Sequence, residues 1–130
     1  ILLAKTRKLN KVKLLGTGKP LREFIHSDDL ARAILKCLEI NQIAYKRIFK
    51  KKLPVMNVGT RDIISIKNLS KMIAKLIDFR GKIIFDKKSP DGTFKKNLDS
   101  SKIYKLGWTP KIKFENGLIQ VIKNRENLNI

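Results

Sequence analysis

Arg22 stands between Leu21 and the apolar pair Phe24-Ile25, in the run Gly18-Lys-Pro-Leu-Arg-Glu-Phe-Ile-His-Ser-Asp-Asp-Leu-Ala31. Apolar neighbours shield part of a guanidinium from water, and a planar, permanently charged fork so placed can hold phosphate oxygens through paired charge-assisted hydrogen bonds. An ion pair with Glu23, Asp28 or Asp29 is the competing use of the same side chain. Further along, Pro90-Asp-Gly-Thr93 has turn chemistry and Lys95-Lys96 follow it directly. Polar loops that leave strands in α/β proteins are where ligands tend to be held.

The elements that must position these residues can be read from spacing. Lys11 to Leu15 is a short strand, closed by the turn Gly16-Thr-Gly18 and Pro20. The two glycines do not make a dinucleotide loop, because Leu21 occupies the third glycine position and no helix starts at once. Ser27 is a candidate cap for a helix from about Asp28 to Ile40. Asp28 and Asp29 fall in its first turn, where the dipole favours carboxylates, and Leu30, Ile34, Cys37 and Leu38 recur at helical spacing. Tyr45 to Lys52 is read as a solvated basic loop, and Pro54 to Gly59 as a buried strand ending in a turn. Ser65 caps a second helix whose apolar face is Ile66, Leu69, Met72, Ile73, Leu76 and Ile77. After Gly81, Lys82 to Asp86 reads as a strand, and a short helix from about Ser100 to Leu106 ends at Gly107. A last helix around Glu115 to Lys123 is expected to bury Leu118, Val121 and Ile122. This alternation of strands and helices predicts an α/β fold.

Composition narrows the function classes. A chain of 130 residues with 42% hydrophobic content suits one modest globular domain. No apolar run approaches the roughly 18 residues of a membrane span, and the opening residues put the apolar part before the charge, the reverse of a signal peptide. The expectation is a soluble, cytoplasmic chain with no membrane partner. It opens on Ile1 with what reads as the end of a helix, and is expected to be a piece of something longer. One cysteine and one histidine cannot assemble a zinc site, so no metal is expected, and Cys37 reads as a packing thiol. The net charge of +19 would suit nucleic acid, but the lysines are spread thinly and only Tyr45 to Lys52 is dense. A small basic nucleic-acid-binding module is therefore an alternative that rests on charge alone.

Three separated blocks resemble one family. Arg22-Glu-Phe-Ile-His-Ser-Asp-Asp-Leu-Ala-Arg-Ala33 is similar to the arginine-aromatic-histidine-x-Asp-Asp segment of the extended short-chain dehydrogenases/reductases. Asn57-Val58-Gly59-Thr60 resembles their Asn-Val-Gly turn. Asp99, Lys102 and Leu106-Gly107-Trp108-Thr109-Pro110 resemble their closing blocks. The resemblance implies that residues 1–130 are a single partial domain, the C-terminal substrate-binding lobe, with the N-terminal Rossmann portion absent and residues 54–59 the last strand of the cofactor domain.

Within this group, Lys88 to Asp99 together with Gly16 to Arg22 most resembles the members that convert GDP-4-keto-6-deoxy-D-mannose by 3,5-epimerisation and then 4-reduction with NADPH. The resemblance implies that Arg22 binds the GDP diphosphate and that Lys5 is a basic substrate contact. It places Asp91 and Lys96 in the loop over the nucleotide sugar, the aspartate facing sugar or ribose hydroxyls and the lysine facing phosphate. Leu15 stands where the family tends to have a tryptophan against the substrate, which leaves another nucleotide-sugar epimerase or dehydratase of the group as the alternative. His26 does not inherit the family's catalytic histidine, and a structural hydrogen bond beside the helix start is expected of it. The resemblance implies that NADPH is bound at an upstream glycine-rich loop and that the proton donor at the carbonyl is the tyrosine of an upstream Tyr-x-x-x-Lys pair. Here Tyr45 is followed four residues later by Phe49 and Tyr104 by Trp108, so catalytic groups are expected upstream, the chain alone is expected to be inert, and a homodimer is implied for the full-length enzyme.

Overall fold

The computed structural model describes residues 1–50 and 53–127. In chain order the elements are α1 (Leu2–Thr6), β1 (Lys11–Leu15), β2 (Leu21–Glu23), α2 (Ser27–Leu38), α3 (Gln42–Phe49), β3 (Ile63–Ser65), α4 (Ile66–Leu76), β4 (Lys82–Asp86), β5 (Lys95–Lys96), α5 (Ser101–Lys105) and α6 (Phe114–Asn127). The contacts divide into two compact units. One comprises Ile1–Arg22, Ile63–Lys96 and the chain from Leu118. The other comprises Glu23–Asp62 and Asn97–Gly117. Among the described residues no helix is long and apolar enough to cross a membrane.

The first unit is built on β1 and β4, which pair in parallel from Lys11↔Lys82 to Leu15↔Asp86. The period of two puts Lys11, Lys13 and Leu15 on the exposed face and half-buries Val12 and Leu14. Ser65 caps α4 as expected, its hydroxyl accepting the Asn68 N–H at 3.1 Å. Two more N–H groups of that first turn, Ile66 and Lys67, donate to the carbonyls of Pro20 and Gly18 at 3.0 and 2.8 Å. The glycine turn thereby satisfies donors that a helix start leaves open. Beside it β2 pairs in parallel with β5, Leu21 with Lys95 and Arg22 with Lys96, in a three-stranded sheet of order β3-β2-β5.

The second unit packs α2 and α5 around Ala33, Ile103 and Trp108, with Ile25, Cys37, Met56, Val58, Tyr104 and Leu106 against them. Burial raises the pKa of the Cys37 thiol, in keeping with a packing role. The cap of α2 is His26 and not Ser27. His26 has the extended backbone a cap requires, and its Nδ1 accepts the Asp28 N–H at 3.2 Å, while Ser27 is already inside the helix. One turn on, Asp29 is fully buried and accepts the N–H groups of Lys111 (2.8 Å) and Ile112 (3.0 Å) besides pairing with Arg32.

Three further expectations are corrected. The basic run from Tyr45 is helical to Phe49, because Asn41 caps α3 by accepting the Ala44 N–H at 2.9 Å. Tyr45 and Phe49, one turn apart, set their rings 5.0 Å from each other, and Phe49 is buried. Lys51 and Lys52 of that run lie outside the described residues. Pro54 to Gly59 forms no strand, since among the described residues it has no ladder partner. Side chains supply ties to it: Lys102 Nζ donates to the Val55 carbonyl at 2.9 Å and Asn57 Nδ2 to that of Asp99 at 3.4 Å. In α6 Phe114, Leu118, Ile119 and Ile122 are half-buried, and Val121 is 58% exposed, so the covered side is turned away from it.

Candidate functional site

The candidate site belongs to the first unit, where β2, β5 and the loop before β5 bring Arg22, Lys96 and Asp91 together. Arg22 Nη1 donates to the carbonyls of Leu21 (2.7 Å) and Thr93 (2.9 Å). The ion pairs weighed for it are not formed. Glu23 instead accepts the N–H groups of Arg61 (2.6 Å) and Leu98 (2.9 Å), and Asp29 has the partners given above. With both protons of Nη1 engaged, the Nε–Nη2 edge of the guanidinium carries no hydrogen bond among the described residues. That edge is the two-donor fork that fits a phosphate or carboxylate.

Gly92 keeps the fork open. A Cβ there would sit 3.6 Å from Nη2, so any longer side chain would lie against the donor edge. Lys96 is the in-register partner of Arg22, which puts the two residues on the same face of adjacent strands about 4.8 Å apart.

Asp91 is bonded within the protein. Its Oδ1 accepts the Thr17 N–H at 2.7 Å and its Oδ2 accepts the Thr17 hydroxyl, so both oxygens face a protein donor. These two hydrogen bonds hold its pKa below the ordinary carboxylate value, with the charges of Lys19 and Arg22 acting in the same direction. Leu15 ends β1 beside this turn and is 75% exposed. Lys5 lies apart, lining a cavity of about 370 Å³ with Lys8, Leu9, Asn10, Asp78, Phe79, Arg80 and Gly81. Asn10 and Gly81 directly precede β1 and β4, so this cavity opens at the start of the strand pair, whereas Leu15 and the glycine turn follow its end.

Thr17 and Thr93 were missed from sequence. The glycines around Thr17 read as a turn and not as a dinucleotide loop, which gives the threonine no partner, and Thr93 acts through its carbonyl, which no residue type announces. The glycine turn does not fit a nicotinamide dinucleotide. Gly16 and Gly18 both have positive φ, but a Cβ at Gly16 would collide with the Asp91 carboxylate and one at Gly18 with the Phe85 ring. The backbone face a pyrophosphate would approach is thus taken, and by an anion at one position. In the second unit Tyr104 donates to the Thr60 carbonyl at 3.0 Å beneath the Arg61 guanidinium. Burial raises its pKa, with Asp62, Glu23 and Asp29 adding to the effect and Arg61 opposing it, so this phenol is not poised to ionise.

Residues 1–59 match the model of the NAD dependent epimerase/dehydratase family. Over 117 residues the chain is 39% identical to GDP-L-fucose synthase 1 of Arabidopsis thaliana, covering 90% of this chain and 33% of that protein. A solved structure of a GDP-6-OMe-4-keto-L-xylo-heptose reductase from C. jejuni matches 98% of this chain and 42% of its own with a TM-score of 0.82 at 32% identity. That of MlghC, a GDP-mannoheptose C4 reductase from Campylobacter jejuni with NADP bound, matches 95% of this chain and 39% of its own, with a TM-score of 0.75 at 32% identity. The chain spans about a third of the length of the curated relatives it matches.

Proposed function

The chain belongs to the NAD dependent epimerase/dehydratase family, and we propose that it is the substrate-binding part of a GDP-L-fucose synthase, the enzyme that converts GDP-4-keto-6-deoxy-D-mannose to GDP-L-fucose. The observation that carries this reading is the Arg22 guanidinium, held by two carbonyls with its Nε–Nη2 fork free beside Lys96. In this reading the fork holds the diphosphate of the GDP-sugar bidentately and Lys96 adds a point charge. Leu15 offers an apolar edge to the sugar. Lys5 takes no part in that grip. NADPH supplies the hydride for the reduction and is held by residues other than those described here, as are the groups that move protons during epimerisation. The whole enzyme is cytoplasmic and works as a homodimer.

A second reading keeps the grip and changes the sugar. Leu15 in place of the family's tryptophan, together with the two heptose reductase structures, favours a related GDP-sugar reductase. Titration calorimetry separates the readings, using GDP, GDP-4-keto-6-deoxy-D-mannose, UDP and dTDP against the chain and its Arg22→Ala variant. Binding selective for guanine nucleotides, and weakened about 10- to 100-fold by loss of the charge-assisted pair, is expected. Equal binding by the variant overturns the grip. Affinity for the keto sugar no better than for GDP favours the second reading.

A further inference from the structure

We propose that Thr17 and Asp91 form a latch that sets the Arg22 fork in place before any ligand arrives. This rests on the anion-gripping reading of Arg22 and assigns Asp91 a positioning role instead of a contact with sugar hydroxyls. The loop between β4 and β5 is tied to the strand it serves at three successive points. Asp91 takes the N–H and hydroxyl of Thr17, the Thr93 carbonyl receives Arg22 Nη1, and the Phe94 carbonyl receives the Leu21 N–H at 2.7 Å. All three ties join the segment Asp91 to Phe94 to the segment Thr17 to Arg22.

Beside the Thr93 carbonyl, the ladder that β5 forms with β2 is two residues long. Strands of ordinary length have at least three residues, so so short a ladder fixes its neighbours weakly. Closing the loop at Asp91 removes that freedom. The Lys19 N–H adds to the tie by donating to the Thr17 hydroxyl at 3.2 Å. Gly16 admits the arrangement, because a side chain there would displace the carboxylate. An arginine ordered in advance gives up less rotamer freedom on binding, which raises affinity without any new contact to the ligand.

The test uses this chain with the substitutions Thr17→Val, Thr17→Ser, Asp91→Ala and Arg22→Ala, read by GDP titration and by amide hydrogen exchange. Thr17→Val and Asp91→Ala are expected to weaken GDP binding about three- to tenfold, and Thr17→Ser to retain it. Adding Asp91→Ala to Arg22→Ala should cost nothing further, since the latch acts through the arginine. Without ligand, both Thr17→Val and Asp91→Ala should speed exchange of the Leu21 amide while distant amides in α4 keep their protection. Wild-type exchange at Leu21 in Asp91→Ala overturns the latch whatever GDP does, as do losses that add in the double variant. Equal GDP binding by wild type and Arg22→Ala, with fast exchange at Leu21 in Asp91→Ala, overturns the grip alone.

Discussion

A guanidinium with one nitrogen engaged by carbonyls differs from a free one in what it can still recognise. Arg22 forms no ion pair among the described residues, so both donors of its Nε–Nη2 edge remain for a ligand. Gly92 is the residue that decides whether that edge can be reached. Its backbone is not in the left-handed region and the space beyond its Cα is bounded only by Nη2 at 3.6 Å. Gly92→Leu should therefore fold like the wild type and lose GDP affinity about tenfold or more, while Gly92→Ala changes little. A melting curve and a titration on the same samples check both halves. The arginine was legible in the sequence because its type and neighbours limit what it can do. Thr93 was not, because a backbone carbonyl carries no signature of its residue.

Helices were read from the sequence more faithfully than strands, and the reason is physical. A helix closes its hydrogen bonds within its own segment, so the spacing of Ile66 to Ile77 and a serine at its head suffice to place α4. A strand needs a neighbour. Val55 to Val58 has the residues of a buried strand, and no described segment lies beside it to complete a ladder. At α2 the error was one position. Serine is the familiar cap and histidine is not, yet the imidazole of His26 reaches the Asp28 N–H. His26→Ala should lower stability by about 1 kcal/mol and His26→Asn should restore most of it, measured by urea unfolding. Gly117 belongs to the same arrangement, since a Cβ there would press on the His26 ring at 2.9 Å. A small residue in the middle of a helical pattern looks like a weakness until the ring that uses the space is known.

Across the whole molecule the charge balance is +19, yet the acidic groups carry much of the specific bonding. Asp29, Asp91 and Asp99 all have lowered pKa values. For Asp29, burial acts upward, but the N–H groups of Lys111 and Ile112 and the Arg32 charge together outweigh it. For Asp91 and Asp99 hydrogen bonds from Thr17 and Ser101 lead. A folded pKa below the unfolded one stabilises the fold at pH above the ordinary value of 3.8, and that contribution is lost as pH falls through the folded values. Urea midpoints should thus be flat above about pH 5 and fall below about pH 4. Asp29→Asn should lower the plateau, by about 3 kcal/mol, and shrink the acid-dependent part.

The placement of the chromophores has a practical consequence. The single tryptophan, Trp108, is buried edge-on to Tyr104, and Tyr45, the other tyrosine, also lies in the second unit. The first unit, which holds Arg22, contains neither residue type. Tryptophan emission therefore follows the melting of the second unit and is blind to the other, whereas far-ultraviolet dichroism follows both. Superimposable melting curves from the two probes would mean that the units unfold as one, and separated curves would date the loss of the arginine site independently of the tryptophan core.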